Sequence, residues 1–161
     1  MSVILALGAN LGDRLASLQE ARRHLESVLS DMTAAPVYET APLYVTDQPH
    51  FLNSAVMGRT ALTPPALLEI IKDIERMMGR EPGLRYGPRV IDIDIIYHDD
   101  FIMEEAGLTI PHPLRLERRF VLQPLAGIAP HLIDPVTGQT IAAHLAQLPP
   151  DPAIKIHAQD W

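Results

Sequence analysis

Cysteine is absent from the 161-residue sequence, which excludes disulfide bonds and thiol catalysis and is typical of a cytoplasmic protein. Long apolar runs are also absent, because no stretch approaches the roughly 18–20 consecutive apolar residues of a membrane-spanning helix. Residues 1–10 contain a short apolar run with no basic region ahead of it, which predicts a first strand rather than a signal peptide. We therefore expect a cytoplasmic location and no membrane association.

Basic residues are scarce, with 13 Lys and Arg against 20 Asp and Glu and a formal net charge of −7. This balance argues against broad binding of nucleic acids or anionic membranes, because both require a basic surface. An acidic protein that handles phosphates would have to concentrate its arginines locally. The sequence does so in two short groups, Arg76, Arg80, Arg85 and Arg89, and then Arg115, Arg118 and Arg119.

Several catalytic patterns are missing. The seven histidines include no H-x-x-x-H pair or other zinc-ligand spacing, and no serine lies in a G-x-S-x-G motif. The segment GANLGDR (Gly8–Arg14) lacks the GK[ST] ending of a P-loop and does not match G-x-G-x-x-G. We interpret it as a tight turn between a strand and a helix, so the sequence gives no support for a zinc site, a serine nucleophile or a P-loop.

The hydrophobic pattern predicts the element order β-α-β-β-α-β followed by extra helices. The predicted strands are Ser2–Leu7, residues 34–45, Phe51–Leu62 and Arg89–Tyr97. The predicted helices are Leu15–Met32, a helix from Thr63 to Met78 that starts with a capping hydroxyl and a proline, and two later ones near Leu116–Leu125 and Thr140–Leu148. This order matches the split βαβ arrangement. We expect one α+β domain over residues 1–161, a ferredoxin-like α/β sandwich with an antiparallel-rich sheet and additional C-terminal helices.

Asp92 and Asp94 interrupt an otherwise aliphatic strand. Strand alternation places them on one face with Val90 and Ile96, opposite an apolar face formed by Ile91, Ile93, Ile95 and Tyr97. Residues i and i+2 of a strand have Cα atoms roughly 6.5–7 Å apart, a spacing that suits carboxylates converging on one or two hard cations such as Mg²⁺. A solvent-exposed polar face is the alternative, although aspartate is depleted in strand interiors.

Three arginines, Arg80, Arg85 and Arg89, lead directly into this acidic strand. Guanidinium groups suit phosphate oxygens, and positive charge beside a metal-binding acidic pair recurs in enzymes that transfer phosphoryl groups. A solvated charged loop is the alternative for any single arginine. The combination of arginines and aspartates favours a phosphate-handling enzyme.

Two other classes of protein share the predicted element order. A non-catalytic domain that binds a small effector leaves the concentration of arginines and aspartates unexplained. An RNA-recognition domain needs aromatic residues on its central strands and a basic face, whereas the strand here carries Asp92 and Asp94. We therefore expect small-molecule substrates and no nucleic acid.

Four segments resemble segments of the 6-hydroxymethyl-7,8-dihydropterin pyrophosphokinase (HPPK) family and occur in the same order along the chain as in that family. They are ALGANLGDR (Ala6–Arg14), TAPLYVTDQPHFLNSAV (Thr40–Val56), RYGPRVIDIDII (Arg85–Ile96) and IPHPLRLERRFVLQPLAGIAP (Ile110–Pro130). The resemblance implies a ferredoxin-like fold and a role in folate biosynthesis. It also implies a reaction in which the β,γ-diphosphate of ATP passes to the hydroxymethyl oxygen of 6-hydroxymethyl-7,8-dihydropterin, with release of AMP.

The resemblance also implies roles for individual residues. Two Mg²⁺ ions would be held by Asp92 and Asp94, and the catalytic group would comprise Arg80, Arg89, Asp92 and Asp94. ATP would be bound by Glu75, Arg80, Arg85, Arg89, Thr109, His112 and Arg118. The pterin would be bound by Thr40, Leu43, Phe51, Asn53, Asp92 and Phe120. Its flat ring would stack between the two phenylalanines. Whether Arg80 or Arg85 dominates in the loop is left open, and a monomer is expected.

Overall fold

The computed structural model of the chain describes residues 1–80 and 87–161. The described strands are β1 (Ser2–Ala9), β2 (Ser30–Ala34), β3 (Val37–Thr40), β4 (Phe51–Arg59), β5 (Asp92–His98), β6 (Met103–Glu105), β7 (Leu108–Ile110) and β8 (Lys155–Ala158). The described helices are α1 (Arg14–Leu25), α2 (Pro64–Met77), α3 (Arg119–Ile128) and α4 (Ile141–Gln147).

One antiparallel sheet organises the described part of the chain. Its strand order is β5-β1-β4-β3-β8, β2 also pairs with β4, and β6 and β7 form a separate hairpin. With β2 and β3 taken together as the second strand, this is the predicted β-α-β-β-α-β order followed by further elements. The expected α+β class, with an antiparallel-rich sheet and additional C-terminal helices, is confirmed.

Each face of the sheet has its own hydrophobic core. On the first face, α1 and α2 pack their apolar stripes against inward residues of β1 and β5, including Leu5, Leu7 and Ile93. The stripe of α2 follows helical spacing through Leu67, Ile71 and Ile74.

On the second face, α3 and α4 cover a smaller core that includes Ile4, Ala55 and Ile96, with Leu122 and Leu125 on α3. The second face also carries Asp92 and Asp94, so the site lies beside α3.

Helix α1 is shorter than predicted. It begins after Asp13, whose Oδ1 accepts a hydrogen bond from Ala16 N at 3.1 Å, and it ends at Leu25 rather than at Met32. Leu29 still packs on the same core from the following turn, and Met32 does so from β2. The apolar pattern therefore continues past the helix because different elements fill one core. In α2, the hydroxyl of the N-cap residue Thr63 makes no capping hydrogen bond, which differs from our expectation.

The predicted strand over residues 34–45 is divided. Its sheet residues fall into β2 and β3, and the segment between them contains Pro36, which has no N–H to donate to a ladder. After Thr40 the chain leaves the sheet as an irregular segment, residues 41–50. The hairpin of β6 and β7 and the edge strand β8 were not predicted from the sequence.

Tyr97 lies on the face opposite to the predicted one. The pairing of β1 with β5 shifts between Ile4, which pairs with Tyr97, and Leu5, which pairs with Ile95. Ile96 is thus an extra residue in a β-bulge, which breaks the alternation of the strand. Ile96 and Tyr97 consequently both pack in the second core, so Ile96 keeps its predicted face and Tyr97 does not.

Among residues 1–80 and 87–161, the helices are all too short or too polar to traverse a lipid bilayer.

Candidate functional site

A cavity opens on the second face of the sheet, where β1, β4 and β5 lie side by side. Gly8 pairs with Asn53 on one side and with Asp92 on the other, so the register of three strands brings these residues together. All six residues predicted to bind the pterin line this cavity: Thr40, Leu43, Phe51, Asn53, Asp92 and Phe120. Asp94, Arg89 and Arg118 line it as well.

Both polar and apolar side chains line the cavity. Asn53 Nδ2 donates to Thr40 Oγ1 at 2.6 Å, and both side chains are buried. A Cβ placed on Gly8 would lie 2.8 Å from Asn53 Oδ1, so only glycine leaves this amide in place. Leu43 and Tyr44 are about half exposed and form the rim. Such a cavity suits a flat ring with a polar edge.

Three carboxylates and one arginine meet at the acidic end of the cavity. Arg80 Nη1 donates to Asp92 Oδ1 at 2.8 Å and also pairs with Glu75 Oε2. Glu75 is buried and accepts a hydrogen bond from Ile93 N at 3.0 Å, which ties α2 to β5. Burial raises the pKa of Glu75, against the opposing effect of the Arg80 charge.

Asp94 is buried beside two other carboxylates, Asp92 and Glu75. Its burial, followed by the charges of Asp92 and Glu75, raises the pKa of Asp94 to about 7. Arg118 and Arg80 act in the opposite direction but do not offset this. A cation placed between the two aspartates would therefore be attracted strongly.

The donor set fits Mg²⁺. Asp92 and Asp94 are hard oxygen ligands that open onto one cavity, as predicted from strand alternation. Across the described residues, no group of three or more His, Cys, Asp or Glu forms a complete metal site. Mg²⁺ is nevertheless typically held by one or two carboxylates, while phosphate oxygens and water complete its coordination shell.

A second cavity lies on the other side of Asp94. It is lined by Leu68 of α2, residues Ile93 to Ile95 of β5, the hairpin residues Glu105, Gly107, Leu108 and Thr109, and His112 and Pro113. Thr109 and His112, both predicted to bind ATP, are thus brought together here, and Asp94 is shared by the two cavities.

His112 is neutral in this environment. Burial, followed by the charges of Arg118 and Arg115, lowers its pKa to about 4. Its Nδ1 accepts a hydrogen bond from Leu114 N at 3.2 Å, so the neutral ring carries its proton on Nε2. His112 can therefore donate one hydrogen bond from Nε2.

Three of the four arginines predicted to bind ATP lie around the acidic pair and the first cavity, and the fourth is outside the described residues. Arg118 is buried in the first cavity, where its Nε lies 3.3 Å from Tyr44 Oη and its guanidinium lies 5.4 Å from the Tyr44 ring and 5.5 Å from the Phe120 ring. Arg80 and Arg89 are near the acidic pair. Arg85 lies outside the described residues, so the choice between Arg80 and Arg85 stays open.

A buried anchor that was not predicted from the sequence holds one segment of the second cavity in place. Arg115 makes two hydrogen bonds to the fully buried Asp134, at 2.6 Å from Nε and 3.0 Å from Nη2, and Tyr97 donates to the same carboxylate at 2.5 Å. Arg115 Nη1 also donates to the backbone O of His112 at 3.0 Å. This network fixes the segment that carries His112. Asp134 gave no local signal, because it is a single carboxylate in a loop.

The fold and the cavities define a class: an α+β protein with an acidic pair and clustered arginines beside an apolar cleft, as in metal-dependent enzymes that transfer phosphate groups. The model of the family 7,8-dihydro-6-hydroxymethylpterin-pyrophosphokinase (HPPK) matches residues 4–130. The chain belongs to this family, as its resemblance to four of the family's segments implied.

Individual relatives agree. The chain is 43% identical over 148 residues to 2-amino-4-hydroxy-6-hydroxymethyldihydropteridine pyrophosphokinase of Methylorubrum extorquens, covering 91% of this chain and 92% of that protein. It is 48% identical over 133 residues to the mitochondrial folate synthesis bifunctional protein of Pisum sativum, covering 82% of this chain and 26% of that protein. The chain thus spans about a quarter of the length of the bifunctional plant relatives that it matches.

Solved structures show the same fold. The crystal structure of wild-type Plasmodium falciparum HPPK-DHPS matches 91% of this chain and 44% of that chain with a TM-score of 0.73. The sequence identity is 18%, so this likeness bears on the fold alone.

Proposed function

We propose that this chain transfers the β,γ-diphosphate of ATP to the hydroxymethyl group of 6-hydroxymethyl-7,8-dihydropterin and releases AMP. Membership of the HPPK family and the name of the Methylorubrum extorquens relative support this activity. The observation that carries it is the position of Asp94. This carboxylate is shared by an aromatic-walled cavity and by a second cavity that contains Thr109 and His112.

In this proposal the first cavity binds the pterin. Phe51 and Phe120 supply apolar faces for the ring, and the buried Asn53–Thr40 pair meets its polar edge. Leu43 lies at the rim. The hydroxymethyl group would then point toward Asp92 and Asp94.

ATP occupies the second cavity and extends its phosphates toward the same aspartates. Thr109 lines the nucleoside end, and His112 donates a hydrogen bond from Nε2 as a neutral ring. Arg80, Arg89 and Arg118 supply positive charge around the phosphates, and Arg85 is assigned to the same role. Glu75 acts through Arg80, because its carboxylate is bonded to that arginine and to Ile93 N.

Asp92 and Asp94 would hold two Mg²⁺ ions. When bound, Mg²⁺ screens the phosphate charge and lowers the pKa of an attacking hydroxyl. The residues of the chain then contribute by placing the hydroxyl and the phosphate chain at one point, and positioning with electrostatic stabilisation accounts for the rate without a dedicated general base.

The remaining expectations stay predictions: a single domain, a monomer, and a cytoplasmic location. The name of the Pisum sativum relative places that protein in mitochondria, so the location needs its own measurement.

The test is an assay of AMP release from ATP, with the pterin alcohol or Mg²⁺ left out in turn. The proposal predicts AMP only when all three components are present. A domain that merely binds an effector would release none, and AMP release that does not depend on the pterin would indicate a different acceptor.

A further inference from the structure

Asn10 lies in the turn after β1 and is 2% exposed. Its side-chain Oδ1 accepts a hydrogen bond from Arg89 N at 2.8 Å, and its backbone N donates to Arg89 O at 3.0 Å. Both polar groups of the Arg89 backbone are therefore bonded to one residue that lies 79 positions earlier in the chain.

The other side of the same amide reaches a different segment. Asn10 Nδ2 donates to Gln48 Oε1 at 2.9 Å and to Pro49 O at 3.0 Å. These acceptors belong to the irregular segment 41–50, which we call the rim loop and which carries Leu43 and Tyr44 of the first cavity. Within the rim loop, Gln48 Nε2 donates to Val45 O at 2.5 Å, which links this end to the residues that line the cavity.

We propose that Asn10 is a positioning residue that fixes the position of the Arg89 backbone relative to the rim loop, both of which contribute residues to the first cavity. The inference rests on the proposed function only in that Arg89 acts on the phosphates and the rim loop on the pterin. An asparagine amide accepts on one side and donates on the other, which is what this junction requires. Aspartate would keep the acceptor and lose the donors, and alanine would lose both.

The alternative is that Asn10 only stabilises its turn. The two roles differ in how the effects of substitutions combine. If Asn10 acts through Arg89, removing the Arg89 side chain must remove most of the catalytic effect of Asn10 as well. A residue that merely stabilises the fold would give independent, additive effects.

The first experiment is a double-mutant cycle on kcat. We expect Arg89→Ala to lower kcat, and with it kcat/KM, by a factor on the order of 10²–10³. We expect Asn10→Ala to lower kcat by a factor on the order of 10–10², because small displacements of a positioned group have effects of that size. In the Arg89→Ala background the same Asn10→Ala change should alter kcat by less than about twofold. Equal factors in the two backgrounds would overturn the inference.

Asn10→Asp separates the two sides of the junction and covers the case in which Asn10→Ala does not fold. It keeps the acceptor for Arg89 N and sets a carboxylate oxygen against Pro49 O and Gln48 Oε1. We expect KM for the pterin alcohol to rise by about fivefold or more while kcat changes by less than about threefold. A fall in kcat with an unchanged KM would contradict this assignment.

Hydrogen exchange of the Arg89 amide tests the junction without any activity. Asn10→Ala should speed exchange of this amide by about tenfold or more, because its acceptor is lost. Asp13→Ala is the matched control, since Asp13 lies in the same turn and its side chain accepts a hydrogen bond from Ala16 N at the start of α1. This substitution should leave Arg89 exchange and the kcat and KM values unchanged. If the wild-type protein releases no AMP, the proposed function fails, whereas unchanged Arg89 exchange in Asn10→Ala refutes the junction itself.

Discussion

Arg80 and Asp92 form an ion pair at the acidic end of the first cavity, with Arg80 Nη1 2.8 Å from Asp92 Oδ1. The same guanidinium pairs with Glu75, which is buried at the end of α2. One arginine therefore balances two of the three clustered carboxylates. A residue assigned to the phosphates is therefore in direct contact with a residue assigned to the metal.

Arg80→Ala should lower both stability and activity. Glu75 would lose its charged partner, and loss of a hydrogen bond to a charged group lowers the free energy of unfolding by about 1.5–3 kcal/mol. We expect kcat/KM for ATP to fall by a factor on the order of 10². Arg76→Ala is the matched control, because Arg76 is exposed and, among the described residues, its ion pair is with the exposed Asp73. In urea unfolding, the free energy of unfolding of Arg76→Ala should lie within about 0.5 kcal/mol of the wild-type value. In steady-state kinetics, its kcat/KM should lie within about twofold of the wild-type value.

Asp94→Asn should abolish turnover while leaving the fold intact. The substitution removes one of the two proposed magnesium ligands, which is why activity should be lost. It also removes one of three neighbouring carboxylate charges from a buried position, which is why the fold should not be destabilised. The expected result is AMP release below detection together with an unchanged circular dichroism spectrum and no loss of thermal stability. Near-normal AMP release in this variant would rule out the metal assignment.

Gly8→Ala should impair pterin binding selectively. The added Cβ would lie 2.8 Å from Asn53 Oδ1, so the amide must shift away from the polar edge of the cavity. We expect KM for the pterin alcohol to rise by a factor on the order of 10 while KM for ATP changes little. Gly127→Ala serves as control, because a Cβ there meets open space. Equal effects of the two substitutions would place Gly8 outside the binding site.

The contribution of Asp134 to the free energy of unfolding should depend on pH. Burial opposes its ionisation, but hydrogen bonds from Arg115 and Tyr97 outweigh burial and hold the pKa of Asp134 well below its usual value of 3.8. The folded state thus binds this proton more weakly than the unfolded chain. The contribution is complete above the unfolded pKa and is lost as the pH falls below about 3.8 toward the folded pKa.

Asp134→Asn should consequently lower the free energy of unfolding by about 3–5 kcal/mol at pH 7, because Arg115 would be left buried without its partner. The difference from the wild type should shrink as the pH is lowered toward about 3. Urea unfolding between pH 3 and pH 7 measures this, with the exposed Asp100→Asn as control. A difference that is constant over this range would mean that the carboxylate charge does not stabilise the anchor.

Strand alternation was sufficient to place the acidic pair. The predicted faces hold from Ile91 to Ile96, because the ladder between β1 and β5 is regular up to Ile95 and Ile96 still packs in the second core. The prediction for Tyr97 was wrong, because a bulge adds one residue at Ile96 and no local pattern marks it. The edge strand β8 was also missed, since a short polar segment such as Lys155–Ala158 becomes a strand only by pairing with β3.

The chemistry-bearing side chains were easier to predict than the residues that hold them. The residues predicted to bind the pterin all line one cavity, although their role in binding stays a prediction. Asn10 and Asp134 act through hydrogen bonds to segments that are distant in sequence, so their importance depends on tertiary contacts that the sequence alone does not display.

The central claim is tested most directly with ATP labelled separately in its β- and γ-phosphates. With the pterin alcohol and Mg²⁺ present, both labels should move together onto the pterin and AMP should be the nucleotide product. Transfer of the γ-label alone with formation of ADP, or no transfer of either label to the pterin, would contradict the proposed diphosphate transfer.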